Sequence, residues 1–312
     1  MTTAPQGTAA RRQVGETVGK GNLFGIAVMQ IAMFLFVSND MLNKIAGADM
    51  PVGELTVIRG LGTVVAVAVI LVLTRQYRYL SQALHYTVLA RSILEAAAAL
   101  CFLNALAHIP LGNVTAILLA ISLTTTAGAA ILFKEEVGIR RWSAILVGFI
   151  GVLLIVRPGF EGFNSFSLYA VLAMLLAAAR DLFTRQIPEG TSVWVVTSTT
   201  LVFVTIAGFL LGLSEEWVAV SGPNVIYLLI SSLCLVFGHF LLVMAMRNGD
   251  VAVVSSFRYS SILIALAYGY LIWGDVPDWL TQVGIALVLS SGLYTIYRER
   301  IRACEAKRMK DG

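Results

Sequence analysis

The chain has little charge. Aspartate, glutamate, lysine and arginine make up 13% of its 312 residues, whereas 58% of the residues are hydrophobic. Soluble domains carry about 25% charged residues, so this composition cannot provide a polar surface of ordinary size, and lipid must be the solvent for most of the chain. One span needs roughly 20 apolar residues. Ten spans would leave too few residues for a separate soluble catalytic domain.

Cysteine and histidine are scarce as well, with three residues of each. The cysteines (Cys101, Cys234 and Cys304) lack metal-ligand spacing, so we expect no metal and no cofactor. We find no H-x-x-x-H pair, no Cys/His cluster and no Ser-His-Asp set at one depth, which disfavours a membrane enzyme acting on lipids. The cations are spread over short loops and tails, which disfavours nucleic acid as a partner. A channel stays as another alternative, although no re-entrant filter loop is evident.

No proline falls inside a predicted span. All seven lie in the N-terminal tail or at span ends, where a missing N–H costs least. The prolines therefore interrupt no span and do not signal a broken-helix binding site of the kind found in some transporters. The predicted spans are 23–46, 53–73, 86–107, 111–133, 139–156, 166–187, 191–212, 223–246, 251–273 and 279–297.

Lysine and arginine are distributed unequally between the two sides of these spans. Sixteen lie in the tails and loops on the side of the N-terminus, and only Lys44 and Arg157 lie on the other side. Cytoplasmic loops carry the excess of such residues. We therefore expect an inner-membrane protein with ten spans and both termini, 1–22 and 298–312, in the cytoplasm.

The first half of the chain partly repeats in the second half. A shift of 140 positions places Ala105 on Ala245, and a shift of 141 places Asp40 on Asp181. Each half, 23–157 and 158–297, then holds five spans, so the second half enters the membrane from the opposite side. Inverted repeats of this kind are typical of transporters, in which two similar packings expose a site to either face in turn. The repeat also favours a path within a single chain, and hence a functional monomer.

Several short motifs accompany this topology. They are Leu132-Phe133-Lys134-Glu135-Glu136 leading to Gly148-Phe149-Ile150-Gly151-Val152, Ile272-Trp273-Gly274-Asp275 leading to Gly284 and Gly292, and Asn104-Ala105-Leu106 before Pro110. The chain thereby resembles the drug/metabolite transporter superfamily, EamA type, and within it most closely the bacterial aromatic amino-acid exporters of the YddG type. It departs from the family in having Thr124 to Thr126 and Ser260-Ser261 where proline is frequent, and Asp275 where the second acidic residue is often glutamate.

The resemblance implies an all-α membrane protein of ten transmembrane helices in two inverted five-helix repeats. It also implies a midplane cavity lined by the first, third, fourth, sixth, eighth and ninth spans, and export of amino acids, aromatic or otherwise neutral, by alternating access. Transport of another small metabolite or drug is the alternative. We expect no catalytic residues, and the partners to be a small-molecule substrate and the lipid bilayer.

Polar residues inside the spans supply the candidate substrate site, because charges in lipid are costly and usually face the bundle interior. Arg91 and Glu95 share one helix face, and Glu95 either neutralises Arg91 or holds a substrate ammonium or a proton. Arg258 has an apolar counterpart in the first repeat and could bind a carboxylate or snorkel to the headgroups. The candidate substrate-binding residues are Glu95, Phe102, Thr124, Thr125, His239, Arg258 and Tyr259.

Two i, i+4 charge pairs recur in the repeats. Asp40 with Lys44 and Asp181 with Arg185 are candidate gating ion pairs, and the alternative is that they cap span ends. If protons take part in transport, the candidates for binding them are Glu95, His239 and Asp40. The serine and threonine clusters of the fourth and ninth spans could meet at one depth, or each could bond its own helix backbone.

Overall fold

The computed structural model describes residues 6–134, 137–159, 163–248, 254 and 256–311. Every regular element among these residues is helical. The α-helices are α1 Gln6–Ala46, α2 Val52–Leu73, α3 Tyr86–His108, α4 Leu111–Leu119, α5 Ile121–Leu132, α6 Ile139–Val156, α7 Phe166–Thr184, α8 Val193–Gly212, α9 Gly222–Asn248, α10 Ser261–Tyr268 and α11 Trp279–Asp311. Short 3-10 helices cover Gln76–Leu84 and Phe257–Ser260, and a π-helix covers Gly269–Trp273.

Within the described residues, nine segments are long and apolar enough to cross a membrane, with α4 and α5 together forming one of them. The tenth crossing is the ninth in chain order, and it consists of the 3-10 helix Phe257–Ser260, α10 and the π-helix Gly269–Trp273. The fold is therefore an all-α membrane protein with ten crossings, as predicted. Both termini lie on one side, the terminal side, and the other side is called the distal side below.

The prolines do not signal a break, yet the fourth and ninth crossings are each divided into shorter helices. The fourth is divided at Ala120, whose N–H bonds the carbonyl of Ile117 three residues back, while Thr124 bonds the Ala120 carbonyl with both its N–H and its hydroxyl. In the ninth crossing the Ser260 hydroxyl donates to the carbonyl of Phe257 at 2.7 Å. Hydroxyl groups that bond nearby carbonyls bend and tighten helices without proline.

The helix pairs are related by a two-fold pattern. When each helix is replaced by its counterpart in the other repeat, the same kind of pair results. α1 packs along α9, and the counterpart pair α7 and α3 packs in the same way. α2 packs against α8, and α6 packs against α11. Because five crossings separate the counterparts, the two repeats have opposite orientations in the membrane, which is the inverted repeat predicted from the sequence.

Backbone conformation repeats along with helix pairing. Lys134 ends the fourth crossing with φ +54°, and Gly274, 140 positions later, ends the ninth with φ +70°. The N–H of Asp275 bonds the carbonyl of Gly269, as in a helix terminus closed by a left-handed residue. A left-handed residue at the end of the fourth and ninth crossings is therefore a further feature that the two repeats share.

The two repeats meet most tightly between α6 and α11. A methyl group added at Gly151 would lie 2.7 Å from the carbonyl oxygen of Gly284, and one added at Gly284 would lie 2.7 Å from the Gly151 oxygen. Hydrophobic burial does not drive helix association in lipid. Van der Waals packing between closely approaching backbones stabilises the pair instead. The largest buried cluster fills the distal part of the bundle and includes Leu106, Ile109, Leu111 and Val114.

Candidate functional site

An ion pair inside the bundle joins the two repeats. Glu95, near the middle of α3, accepts a hydrogen bond from Nη1 of Arg180 on α7. Arg180 also binds Asp181 Oδ1 through Nε at 2.9 Å and Nη2 at 2.7 Å. The side chains of Arg180 and Glu95 are 21% and 27% exposed. This pair therefore lies against an accessible space and is neither sealed in the core nor fully exposed.

Arg91 completes this group, but not in the predicted way. Its Nε donates to Thr184 at 3.0 Å and its Nη1 to Thr200 at 2.5 Å. One of the two alternatives from the sequence was that Glu95 neutralises Arg91 on the same helix face. In the structure Glu95 bonds Arg180 across the repeats, and Arg91 lies within its electrostatic reach. We call Arg91, Arg180, Asp181 and Thr184 the arginine network.

Charges continue from this network in both directions. Arg59 of α2 is 8% exposed and lies within electrostatic reach of Asp40 and Glu95. No described residue accepts a hydrogen bond from the buried Nε of Arg59. Towards the terminal side, Arg258 lies within reach of Arg180 and Asp181. A chain of alternating charges thus crosses much of the bundle interior.

His239 and Arg258 are surrounded by protein and still keep exposed side-chain surface. His239 lies within electrostatic reach of Glu95, and its ring packs edge-on against Phe36 at 4.9 Å. Its Nδ1 donates to the Leu235 carbonyl at 2.9 Å, so in the neutral ring Nε2 carries the lone pair.

The fourth and ninth crossings do meet, through Tyr259. Its hydroxyl bonds the Ser122 hydroxyl at 2.9 Å. The ring packs against α11 at Gly292, where any side chain would collide with it. Thr124 bonds its own helix backbone, and no described residue bonds the buried hydroxyl of Thr125. Phe102, half-buried, packs against the main core cluster.

The predicted ion pair of Asp40 with Lys44 is not formed between these two described residues. Lys44 Nζ instead donates to the carbonyls of Leu106 at 2.7 Å and Ile109 at 2.6 Å, and it lies 5.5 Å from the ring centre of Trp273. The carbonyls at the end of a helix lack intrahelical partners and attract cations. Lys44 therefore ties α1 to the distal end of α3.

In the second candidate pair, Asp181 is bound by the adjacent Arg180. The N–H of Arg185 caps α7 by bonding the Asp181 carbonyl at 3.3 Å. The geometry thus gives Asp181 a place in the arginine network.

Distal loops are held by further polar contacts. Arg157 at the end of α6 binds Asp278, which also accepts from Thr281 at 2.7 Å. These hydrogen bonds, from Arg157 first and Thr281 second, lower the pKa of Asp278 to about 2. A cavity of about 170 Å³ lies beside them, lined by residues that include Asn113, Asp275 and Asp278. The contact joins the end of the first repeat to the last helix of the second.

Sequence reasoning missed three features of this interior. It did not identify Arg180 as the partner of Glu95, or Arg59 as a member of the charged chain. It also missed the buried polar contacts of Asn39, Asn43 and Ser231 between α1 and α9. Asn39 and Asn43 are four residues apart on one helix face, which was the available signal for that cluster.

Comparison with known proteins supplies the family. The model of the EamA-like transporter family matches residues 23–157 and again residues 164–297. The two matches coincide with the two repeats of the fold. The chain belongs to this family, and it is a multi-pass integral membrane protein of a bacterial transporter family.

Curated relatives carry different substrates in their names. The chain is 27% identical to a riboflavin transporter of Rhizobium johnstonii over 69% of this chain and 71% of that protein. It is 26% identical to the pseudopaline exporter CntI of Pseudomonas aeruginosa over 85% of this chain and 93% of that protein. It is also 26% identical to an S-adenosylmethionine uptake transporter of Rickettsia felis over 61% of this chain and 65% of that protein. The family therefore includes importers and exporters.

A solved crystal structure has the same fold. It matches 89% of this chain and 98% of its own chain with a TM-score of 0.62 and 17% sequence identity. At this identity the likeness concerns the fold alone.

Proposed function

We propose that this transporter exports small amphipathic metabolites that carry a carboxylate, with aromatic and other neutral amino acids as the leading candidates. The observation that carries the proposal is the interior chain of charges. Among the described residues it contains four arginines (Arg59, Arg91, Arg180 and Arg258) and three carboxylates (Asp40, Glu95 and Asp181). An excess of guanidinium groups inside the bundle favours an anionic ligand group.

Arg258 and Glu95 are the proposed ends of the substrate site. Arg258 keeps accessible surface, and its planar fork suits the substrate carboxylate. Glu95, with His239 nearby, would bind the ammonium group, and Phe102 and Tyr259 would contact the substrate side chain. Thr125 contributes a buried hydroxyl without a described partner, and Thr124 lies one position before it. Rocking of the two repeats would expose this site to each side in turn.

Other features of the proposal follow from the same symmetry. The path lies inside one chain, so the monomer is the transporting unit. The excess of lysine and arginine on the terminal side supports cytoplasmic termini in an inner membrane. Protons are the proposed coupling ions, with Glu95, His239 and Asp40 as the groups that could bind them. The names of the relatives support a transporter rather than a lipid-modifying enzyme.

The proposal is tested with purified protein in liposomes and labelled phenylalanine, tryptophan and alanine. We expect saturable movement that Arg258→Ala reduces at least tenfold, while Arg78→Ala, an exposed arginine of the 3-10 helix Gln76–Leu84, leaves it unchanged. Riboflavin and S-adenosylmethionine serve as competing substrates. Movement of either compound without movement of any amino acid would replace the amino-acid proposal with another metabolite of the same family.

A further inference from the structure

Four polar residues form a closed group between α1 and α9, which we call the amide network. Asn39 Nδ2 donates to Asp40 Oδ1 at 2.9 Å, and Asn43 Nδ2 approaches Asn39 Oδ1 at 3.3 Å. The Ser231 hydroxyl lies 2.8 Å from Asn39 Oδ1 and 2.9 Å from Asn43 Oδ1. Asn39, Asn43 and Ser231 are 3%, 2% and 0% exposed, so water is nearly excluded from them.

The amide network is one hydrogen short when Asp40 is ionised. The carboxylate holds the Asn39 NH₂ group, so the Asn39 oxygen faces Ser231 and Asn43. Ser231 has a single hydroxyl hydrogen, and two amide oxygens lie within 2.9 Å of its oxygen. One of these two contacts therefore joins two oxygens without a hydrogen. Turning the Asn43 amide satisfies Ser231 but moves the defect to the 3.3 Å contact with Asn39.

A proton on Asp40 removes the defect. The new O–H group donates to the Asn39 oxygen once the amides of Asn39 and Asn43 have both turned, and the Asn39 NH₂ group then faces Ser231 and the Asn43 oxygen. The Asn43 NH₂ group donates to Ser231 as well. Each of the four contacts now contains a hydrogen. The Ser231 oxygen accepts from both amides, and its own hydrogen can turn to a carbonyl of the preceding turn of α9, as serine hydroxyls in helices do. Buried polar groups without a partner are costly, so this arrangement favours the protonated state.

We infer that Asp40 is a proton-binding site of this protein, and that Asn39, Asn43 and Ser231 stabilise its neutral form. The coupling of this proton to transport rests on the proposed function, whereas the binding itself does not. Asp40 is partly exposed, so solvent can supply the proton. Because Ser231 belongs to the second repeat and Asp40 to the first, the proton strengthens the contact of α1 with α9 and favours the arrangement seen here.

The charged and titratable groups on the helices around Asp40 each have an interaction of their own. Arg59 of α2 lies within electrostatic reach of Asp40 and favours the ionised carboxylate, so it opposes the amide network. Lys44, one turn later on α1, is bound to the carbonyls of α3. His239 of α9 and Glu95 of α3 interact with each other. Tyr268 of α10 bonds Ser38 at 2.9 Å.

Infrared spectroscopy of the full chain in liposomes, without substrate, tests the inference. A protonated carboxyl group gives a C=O stretching band that ionised carboxylates lack. We expect a band that titrates with pH in the wild type and is absent in Asp40→Asn. Ser231→Ala removes both crowded contacts, so the midpoint should fall by about one pH unit, a tenfold loss of proton affinity.

Ser291→Ala is the matched control, since Ser291 is 4% exposed and bonds the Val288 carbonyl of its own helix. Its midpoint should equal that of the wild type. A band that persists in Asp40→Asn, a Ser231→Ala midpoint equal to the control, or a band that responds to sodium at constant pH would each overturn the inference. Failure of amino-acid movement in the flux assay would overturn the proposed function and leave this titration unchanged.

Discussion

The amide network and the arginine network occupy equivalent positions in the two repeats, on opposite sides of the membrane. A shift of 141 positions maps Asn39 to Arg180 and Asp40 to Asp181. In both cases the side chain before the aspartate donates to its Oδ1 at 2.9 Å. The repeat has therefore kept the contact while the donor has changed from a neutral amide to a guanidinium.

The remaining members of the two networks correspond as well. The same shift maps Asn43 to Thr184, and a shift of 140 maps Arg91 to Ser231. Ser231 contacts Asn43 at 2.9 Å, and Arg91 donates to Thr184 at 3.0 Å. A guanidinium group, that of Arg180, bonds the aspartate of the terminal side directly. A neutral amide bonds that of the distal side, and Arg59 acts on it only through space. One geometry thus holds an ion-paired carboxylate in one repeat and, in the other, the carboxylate that we infer to bind a proton.

The largest expected effect comes from breaking the arginine network with Arg180→Ala. The change leaves Glu95 without its cation inside the bundle, and the free energy of unfolding should fall by about 3 kcal/mol. Reversible unfolding in mixed micelles measures the loss. The double variant Glu95→Ala with Arg180→Ala should recover part of it, because no unpaired charge is left. A double variant less stable than Arg180→Ala would contradict the pairing.

Lys44→Met tests whether Lys44, which lies beside the amide network, interacts with the Asp40 carboxylate. Methionine keeps the length of the side chain but leaves the carbonyls of Leu106 and Ile109 without a donor, so unfolding should become easier by about 2 kcal/mol. The midpoint of the Asp40 titration should not move, because Lys44 does not bind that carboxylate. Lys134→Met, at an exposed position, is the control for the loss of a lysine. A shifted Asp40 midpoint would restore the ion pair predicted from the sequence.

Asn43→Thr gives the amide network the residue found at the equivalent position 184. The change removes the Asn43 oxygen from the surroundings of Ser231. The Ser231 hydroxyl can then donate to the Asn39 oxygen alone, so every contact contains a hydrogen even when Asp40 is ionised. We expect the infrared midpoint to fall by about one pH unit. Thr205→Ser, elsewhere in the bundle, should leave the midpoint unchanged. An unchanged midpoint in Asn43→Thr would separate Asp40 from the amides.

The smallest expected effect concerns Asp278, a carboxylate of the distal side that is paired with Arg157. Its pKa is lowered to about 2, so its contribution to stability is complete above the ordinary value of 3.8 and is lost as the pH falls towards 2. The side chain is 54% exposed, which limits the contribution to below about 1 kcal/mol. Asp278→Asn should remove this part of the acid sensitivity of unfolding, and Asp49→Asn should not. Equal acid profiles of the wild type and Asp278→Asn would contradict the contact with Arg157.

Much of the fold was predictable because the bilayer fixes the length of each apolar segment. Nine crossings lie where the hydropathy of the sequence places them, and the described helices of the tenth, Phe257–Trp273, fall within the predicted span 251–273. The inverted repeat follows from five crossings per half. The break at Ala120 and the irregular ninth crossing were not predictable from proline. They depend on hydroxyl groups that bond nearby carbonyls, as in Ser260, and the same residue types also occur in straight helices.

The site was less predictable than the fold. Sequence spacing identifies which charges share a helix face, as for Arg91 and Glu95, but the partner is decided by helices that are distant in sequence. Glu95 and Arg180 are 85 positions apart, and Lys44 reaches the carbonyl of Ile109, 65 positions away. Such pairings follow from the packing of α3 against α7 and of α1 against the end of α3.

The central comparison is tested most directly by titrating Asp40→Asn and Asp181→Asn side by side with infrared spectroscopy. The account predicts that the protonated-carboxyl band disappears in Asp40→Asn and stays, with the midpoint of the wild type, in Asp181→Asn. A band that survives in Asp40→Asn and disappears in Asp181→Asn would place the proton at the wrong end of the path and contradict the account.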